Sequence, residues 1–227
     1  MQKLEPLQPG KYYHIYNRGN NRENLFIEER NYTHFLNLWQ KHIAPVADTF
    51  AYCLMKNHFH FLVRIKEDEE IMELINSLNT QNPNRALRTS QQALLGLTLL
   101  GLTNQQEILK RIKNNFSNHF NAYAQAINKA YNRTGKLFEL PFERKVVDSE
   151  RYFKQLIYYI HFNPQKHGFV KDFREWPYSS YHTFISDKPT KLKREKSMKW
   201  FIDKSDFIST HQAAPVFKNI EKLIEGD

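Results

Sequence analysis

Two histidines in an apolar stretch of this chain, His58 and His60, are spaced so that they could act together. Residues 52–65 are rich in β-branched and aromatic side chains, which predicts a β-strand around the pair. Side chains alternate across a strand, so the two imidazoles would share one face while Phe59 and Phe61 pack a core from the other. Neighbouring neutral imidazoles form half of a site for a divalent cation. The alternative is a strand whose histidines only hydrogen-bond to neighbouring groups.

A third donor for such a cation could come from a second stretch, residues 158–164, with the sequence YYIHFNP. Tyr159 and Asn163 stand four residues apart there, and this spacing puts two side chains on the same face of a helix. Ser149 is a suitable N-cap for that helix, and Pro164 is expected to end it. A phenol and an amide would thus face the same way, and both could contribute to chemistry at the histidine pair.

The whole chain is basic and aromatic. Its 227 residues carry a net charge of +9, with 12 Tyr, 17 Phe and 3 Trp. Cations that neutralise phosphates, together with rings that stack on bases, are typical of proteins with a nucleic-acid partner. A soluble protein that merely happens to be basic is the alternative.

Cysteine content and hydropathy indicate the compartment. Cys53 is the single cysteine, so no disulfide can form within the chain, which favours a reducing cytosol. The N-terminal residues lack the apolar core of a secretion signal, and the sequence contains no apolar run of about eighteen residues. We therefore expect a soluble, cytoplasmic protein with no membrane partner.

Hydrophobic periodicity predicts the element order β-α-β-β-α-insertion-α-β-α, which indicates the α+β class: one domain, with helices packed on an antiparallel sheet. A hairpin around Lys56 and Asn57 is plausible, and a strand running straight through from Phe50 is the alternative.

Residues 82–104 are interpreted as a helical insertion, and residues 182–227 as a basic C-terminal extension. The tandem repeat LLGLTLLGLT in the insertion is either a local duplication or an apolar patch for self-association.

Five blocks of sequence follow one another in an order that is similar to one known family. They are YYHIYNRGNNRENLF, YCLMKNHFHFLV, RTGKLFELPFERKVV, YYIHFNPQKHGFV and WPYSSY, and they span residues 12 to about 181. The chain resembles the REP-associated tyrosine transposases, relatives of the small insertion-sequence transposases that have an HUH motif and one catalytic tyrosine. The resemblance implies a ferredoxin-like HUH-endonuclease fold and an enzyme that cuts and rejoins single-stranded DNA near hairpins.

The resemblance also implies roles for individual residues. The two histidines of the HUH motif match His58 and His60, and the third metal ligand matches Asn163; the ion would be Mg²⁺ or Mn²⁺. The nucleophile, which would form a 5′-phosphotyrosine, matches Tyr159. The adjacent Tyr158 leaves a second hydroxyl to consider.

Four cations lie close in sequence to these site elements and are the predicted DNA contacts: Arg18, Arg22, Arg144 and Lys145. Single-stranded or hairpin DNA is the expected partner. A domesticated DNA-binding regulator that does not cleave is the alternative function, although the intact site residues count against it. A structural or protein-interaction role is the least favoured. Both a monomer and a homodimer stay open.

Overall fold

The computed structural model describes residues 6–80, 97–139 and 141–212, apart from the side chains of residues 79 and 97–103. In chain order the elements are β1 (Tyr12–Arg18), α1 (Glu29–His42), β2 (Ala47–Leu54), β3 (His58–Ile65), α2 (Asp68–Thr80), α3 (Leu97–Ala130), β4 (Glu143–Val147), α4 (Glu150–Lys166), α5 (Tyr181–Ile185), α6 (Arg194–Met198) and α7 (Lys204–Gln212), with 3₁₀ turns at Asn20–Arg22 and Phe173–Glu175.

The strands form one antiparallel sheet in the order β2-β3-β1-β4. The two central strands are paired so that Tyr16 lies opposite His60 and Arg18 lies opposite His58. This is the strand order of a ferredoxin-like βαββαβ unit, so the α+β class expected from the sequence is confirmed. A hairpin joins β2 to β3, with the Met55 N–H donating to the His58 carbonyl at 2.8 Å, and the straight-through strand is therefore wrong.

The two faces of the sheet differ in what covers them. One face presents Phe59 and Phe61, which pack against Phe35 and Trp39 of α1. Phe120 of α3 stacks on Phe59 from the same side, with ring centroids 5.9 Å apart. Because successive side chains of β3 alternate, its histidines must point to the opposite face, where α4 lies. The predicted alternation of core and site residues is confirmed.

Helix α3 begins at Leu97, within the segment interpreted as an insertion, and continues to Ala130. The backbone of the second half of the LLGLT repeat is therefore helical, while residues 82–96 lie outside the described residues. The C-terminal extension forms the short helices α5 to α7 as far as residue 212, and residues 213–227 also lie outside the described part. Among the helices that the structure describes, none combines the length and apolarity needed to cross a membrane.

The expectation that Pro164 ends its helix is wrong. Helix α4 runs on for two more residues, and its start is capped by Ser149, whose hydroxyl accepts from the Tyr152 N–H at 3.3 Å. Proline removes its own backbone donor and crowds the turn before it, but the residues after it can still donate. The His167 N–H does so, to the Asn163 carbonyl at 3.0 Å.

Acid is expected to destabilise this fold through a histidine buried in the core. His119 of α3 packs against Phe35 and Trp39, and burial lowers its pKa from 6.5 to about 3. The unfolded chain takes up a proton between these values and the folded chain does not. This contribution to stability is therefore complete above about pH 6.5 and is lost as the pH falls.

Replacing this histidine should reduce the acid sensitivity. From pH 7 to pH 5, His119→Leu should lose about 2 kcal/mol less unfolding free energy than the wild type does, measured by urea unfolding at each pH. The exposed His182 is the control, and His182→Leu should follow the wild type. Equal acid sensitivity in wild type and His119→Leu would contradict the prediction.

Candidate active site

The histidine face of the sheet is the face that carries His14, His58 and His60 and is covered by α4. His58 and His60 lie side by side, with ring centroids 5.5 Å apart. Tyr16, directly across from His60 on β1, stacks on its ring at 5.6 Å. The strand alternation predicted from the sequence thus brings the two imidazoles together at one place.

Tyr159 of α4 faces these histidines. Its ring centroid lies 5.5 Å from that of His60 and 6.3 Å from that of His14. Tyr158 points elsewhere: its ring packs 5.4 Å from His211 of α7, and burial raises its pKa to about 12. Successive residues of a helix point about 100° apart, so only one of the two tyrosines can face the sheet. Tyr159, and not Tyr158, is therefore the tyrosine that lies beside the histidines.

Two buried acceptor atoms at this site have no hydrogen-bond partner among the described residues. Asn163 donates from Nδ2 to the Tyr159 carbonyl at 2.8 Å, and its Oδ1 is left unpaired. His58 contacts Asn57 Oδ1 through Nδ1 at 2.7 Å, and its Nε2 is also unpaired. An amide oxygen only accepts, so His58 Nδ1 carries the hydrogen and Nε2 keeps its lone pair. Unpaired buried acceptors are uncommon and fit cation ligands.

The imidazoles are held in the neutral form that binds metals. Burial lowers the pKa of His58 to about 3, and the charges of His167, Arg18 and Lys166 act in the same direction. Burial also holds the pKa of His60 well below its usual value. Neutral imidazoles keep a lone pair for coordination at pH 7.

Two imidazoles and an amide oxygen are donors that a divalent metal ion can bind. Among the described residues, no three His, Cys, Asp or Glu side chains are placed to hold a metal, so Asn163, whose Oδ1 is buried and unpaired, is a candidate for the third donor. Two imidazoles and an amide oxygen are neutral donors, so a bound Mg²⁺ or Mn²⁺ would keep its full charge. Such an ion would attract an anionic group.

The structure separates the four predicted DNA-binding cations. Arg18 ends β1 beside the site and pairs with a carboxylate at 2.7 Å, and the exposed Arg22 lies in the following turn. Lys145 lies directly across from His14 and therefore shares the histidine face. Arg144 points to the opposite face, where its guanidinium lies 5.0 Å from the Phe142 ring centroid.

Three further residues at this site were missed in the sequence. His14 contacts His60, His167 lies with its ring 4.6 Å from that of His58, and Lys166 Nζ lies 5.2 Å from the Tyr159 ring centroid. The signal for His14 was the alternation of β1, which puts every second side chain on one face. The signal for Lys166 was its position two helical turns after Tyr159.

The WPYSSY block fixes the orientation of α4. Ser180 pairs with the free edge of β2, its N–H donating to the Tyr52 carbonyl at 2.9 Å. Its hydroxyl also contacts His161 Nε2 at 2.8 Å, while His161 Nδ1 contacts His211 Nε2 at 2.9 Å. His161 lies between Tyr159 and Asn163 in sequence and points to the other side of the helix. Anchoring it fixes the rotation of α4 about its axis and so keeps Tyr159 directed at His60.

Comparison with known proteins finds similarity to transposases. Residues 8–95 match the model of the IS200-like transposase family. Over 138 residues the chain is 22% identical to a Haemophilus influenzae protein provisionally named REP-associated tyrosine transposase. The alignment covers 60% of this chain and 59% of that relative, so the chain spans less than two thirds of its length. The resemblance stated from the sequence blocks is confirmed.

A solved structure of a REP-associated tyrosine transposase bound to a REP hairpin is also similar. The TM-score is 0.48 and the sequence identity 15%, with 83% of this chain and 88% of the other covered.

Proposed function

We propose that this chain, a relative of the REP-associated tyrosine transposases with an IS200-like transposase segment at residues 8–95, is a metal-dependent enzyme that cuts and rejoins single-stranded DNA near hairpins. The observation that carries the proposal is the position of Tyr159. Its ring faces His60 from α4, and it lies one helical turn from Asn163, whose Oδ1 is unpaired. A tyrosine beside a cation site is the arrangement that covalent phosphoryl transfer requires.

In the cleavage step Tyr159 is the nucleophile. Its Oη loses a proton to solvent and forms a bond to phosphorus, while the bond from phosphorus to the 3′ oxygen breaks and that oxygen takes a proton from water. The products are a 5′-phosphotyrosine and a free 3′-hydroxyl. The phosphotyrosine is itself a phosphodiester, so attack by a 3′-hydroxyl reverses the step without ATP.

His58, His60 and Asn163 would hold the ion, with His58 Nε2 and Asn163 Oδ1 already free of other partners. A bound Mg²⁺ or Mn²⁺ would polarise the scissile phosphate and offset the charge that develops on its oxygens. The Lys166 ammonium near Tyr159 adds a further positive charge, which favours both the phosphate and a tyrosinate.

Cleavage of end-labelled single-stranded hairpins tests this proposal. A single-stranded hairpin substrate labelled at its 3′ end should give a labelled protein band on a denaturing gel, because the 5′-phosphorylated fragment stays attached to tyrosine. The same substrate labelled at its 5′ end should give a shorter free strand. A regulator that does not cleave would shift the hairpin on a native gel and give neither product.

Binding of the hairpin should weaken with salt. Each phosphate contact to a single strand contributes about −0.7 to the log–log slope of affinity against salt. Arg18, Arg22 and Lys145, the predicted contacts other than Arg144 on the opposite face, therefore predict a slope of about −2. Fluorescence anisotropy of a labelled hairpin between ~50 and ~200 mM salt measures it. Binding that does not change over this range would mean that phosphate contacts do not drive it.

The faces on which Lys145 and Arg144 lie predict different effects of their substitution on the salt dependence of binding. Lys145→Gln should make the slope shallower by about 0.7, because Lys145 lies on the histidine face. Arg144→Gln is the matched neighbour and should leave the slope unchanged, since Arg144 lies on the opposite face. The reverse result would place the DNA on the other side of the sheet.

A further inference from the structure

A buried imidazole pair links β1 to the proposed metal site. His14 has no exposed surface, and its Nε2 lies 2.9 Å from His60 Nδ1. The two rings are nearly parallel, 17° apart, and Tyr16 stacks on both of them. The other ring nitrogen, His14 Nδ1, is buried and has no hydrogen-bond partner among the described residues.

Only one hydrogen can lie between the two facing nitrogens, and its position decides what His60 can do. If it is on His60 Nδ1, that nitrogen donates to His14, and His60 Nε2 keeps a lone pair for a cation. If it is on His14 Nε2, His60 accepts, and His60 Nε2 then carries the hydrogen of the neutral ring. The second arrangement cannot bind a metal through Nε2.

We propose that His14 is a positioning residue: when a divalent cation binds, His14 accepts the hydrogen bond from His60 and so fixes His60 in the tautomer and ring orientation that bind the ion. Metal-binding histidines generally donate their second N–H to a fixed acceptor, which is most often a carboxylate, a carbonyl or water. Here the acceptor is a second imidazole. The inference rests on the metal site of the proposed function and adds the residue that prepares it.

The two arrangements also differ in what they leave unpaired. With the hydrogen on His60 Nδ1, the buried His14 Nδ1 must carry a hydrogen that finds no acceptor. With the hydrogen on His14 Nε2, His14 Nδ1 keeps only an unused lone pair, which is the less costly state. The bond between His60 and the cation has to offset this difference. Metal binding should therefore move the hydrogen from His14 to His60.

Metal affinity of variants tests the acceptor role. Binding of Mn²⁺ alone, followed by electron paramagnetic resonance of the free ion, should be about 10–100-fold weaker in His14→Leu than in the wild type. His14→Gln, whose amide oxygen can accept in place of Nε2, should recover most of the affinity. His119→Leu removes a buried imidazole on the opposite face of the sheet and should bind like the wild type. Melting curves confirm that each variant is folded.

Tautomers of the wild type give a test that needs no variant. Imidazole ¹⁵N shifts, recorded with and without Mg²⁺, should show His60 with its hydrogen on Nδ1 when the ion is bound. His60 with its hydrogen on Nε2 in the metal-bound protein would overturn the inference. So would wild-type affinity in His14→Leu, or an equal loss in His14→Leu and His14→Gln. Absence of Mn²⁺ binding by the wild type would overturn the metal site itself, and this inference with it.

Discussion

Tyr159→Phe is expected to abolish cleavage of a labelled single-stranded hairpin while leaving its binding nearly unchanged. The substitution removes one oxygen, the nucleophile, from a ring that keeps its packing against His60. Losing a covalent nucleophile lowers the rate by at least about a thousandfold, because the remaining groups can only position the phosphate. A denaturing gel with the 3′-labelled substrate reports the covalent product, and a native gel reports binding.

Tyr158→Phe is the matched control, because it makes the same chemical change one residue away. Tyr158 packs on the C-terminal helix, so this variant should cleave like the wild type. Retained cleavage in Tyr159→Phe together with a loss in Tyr158→Phe would move the nucleophile by one residue and would require α4 to rotate. Cleavage retained in both variants would mean that neither Tyr158 nor Tyr159 is by itself required as the nucleophile.

The parts of the site that follow local periodicity could be predicted from the sequence. Alternation on β3 put His58 and His60 on one face and Phe59 on the other, and helical spacing put Tyr159 with Asn163. These rules depend on the backbone within one element, so a single stretch of sequence contains the information. The α+β class also followed, because this succession of strands and helices suits helices packed on an antiparallel sheet.

The parts that depend on pairing between distant elements could not be predicted. His14 belongs to the site because β1 pairs with β3 in a register that no local pattern fixes. Arg144 and Lys145 are adjacent on a strand and so face opposite ways, but only the pairing of β4 with β1 decides which of them lies on the histidine face. No local pattern in the WPYSSY block indicates that Ser180 joins the edge of β2 to His161 of α4.

Chelation is expected to stop cleavage without unfolding the protein. The histidine face lies on a sheet that is held by the aromatic core of its other face, so the fold does not depend on an ion. An ion bound at a hundred times its dissociation constant adds about 2.7 kcal/mol, so EDTA should lower the melting temperature by about 5–10 °C. Outright unfolding on chelation would instead indicate a structural metal.

Alanine substitution of each proposed ligand is expected to lower cleavage by a different amount. His58→Ala and His60→Ala should each lower cleavage by more than about a hundredfold, since losing a direct ligand exceeds the 10–100-fold effect of an outer partner. Asn163→Ala should show the smallest loss and the largest recovery in excess Mn²⁺, because a neutral amide oxygen is the weakest donor and water can replace it. His119→Ala, a buried histidine on the other face, controls for lost stability.

Asn163 gives the most demanding test, because its role depends on the register between α4 and β3. Its Oδ1 is buried without a partner among the described residues, while its Nδ2 donates to the Tyr159 carbonyl, so Asn163→Ala removes one hydrogen bond from the fold and a ligand from the site. Cleavage by each variant is measured against Mn²⁺ concentration, with melting curves recorded alongside. For Asn163→Ala, full activity at low metal would remove the amide from the ligand set, and metal-independent cleavage by the wild type would remove the ion from the mechanism.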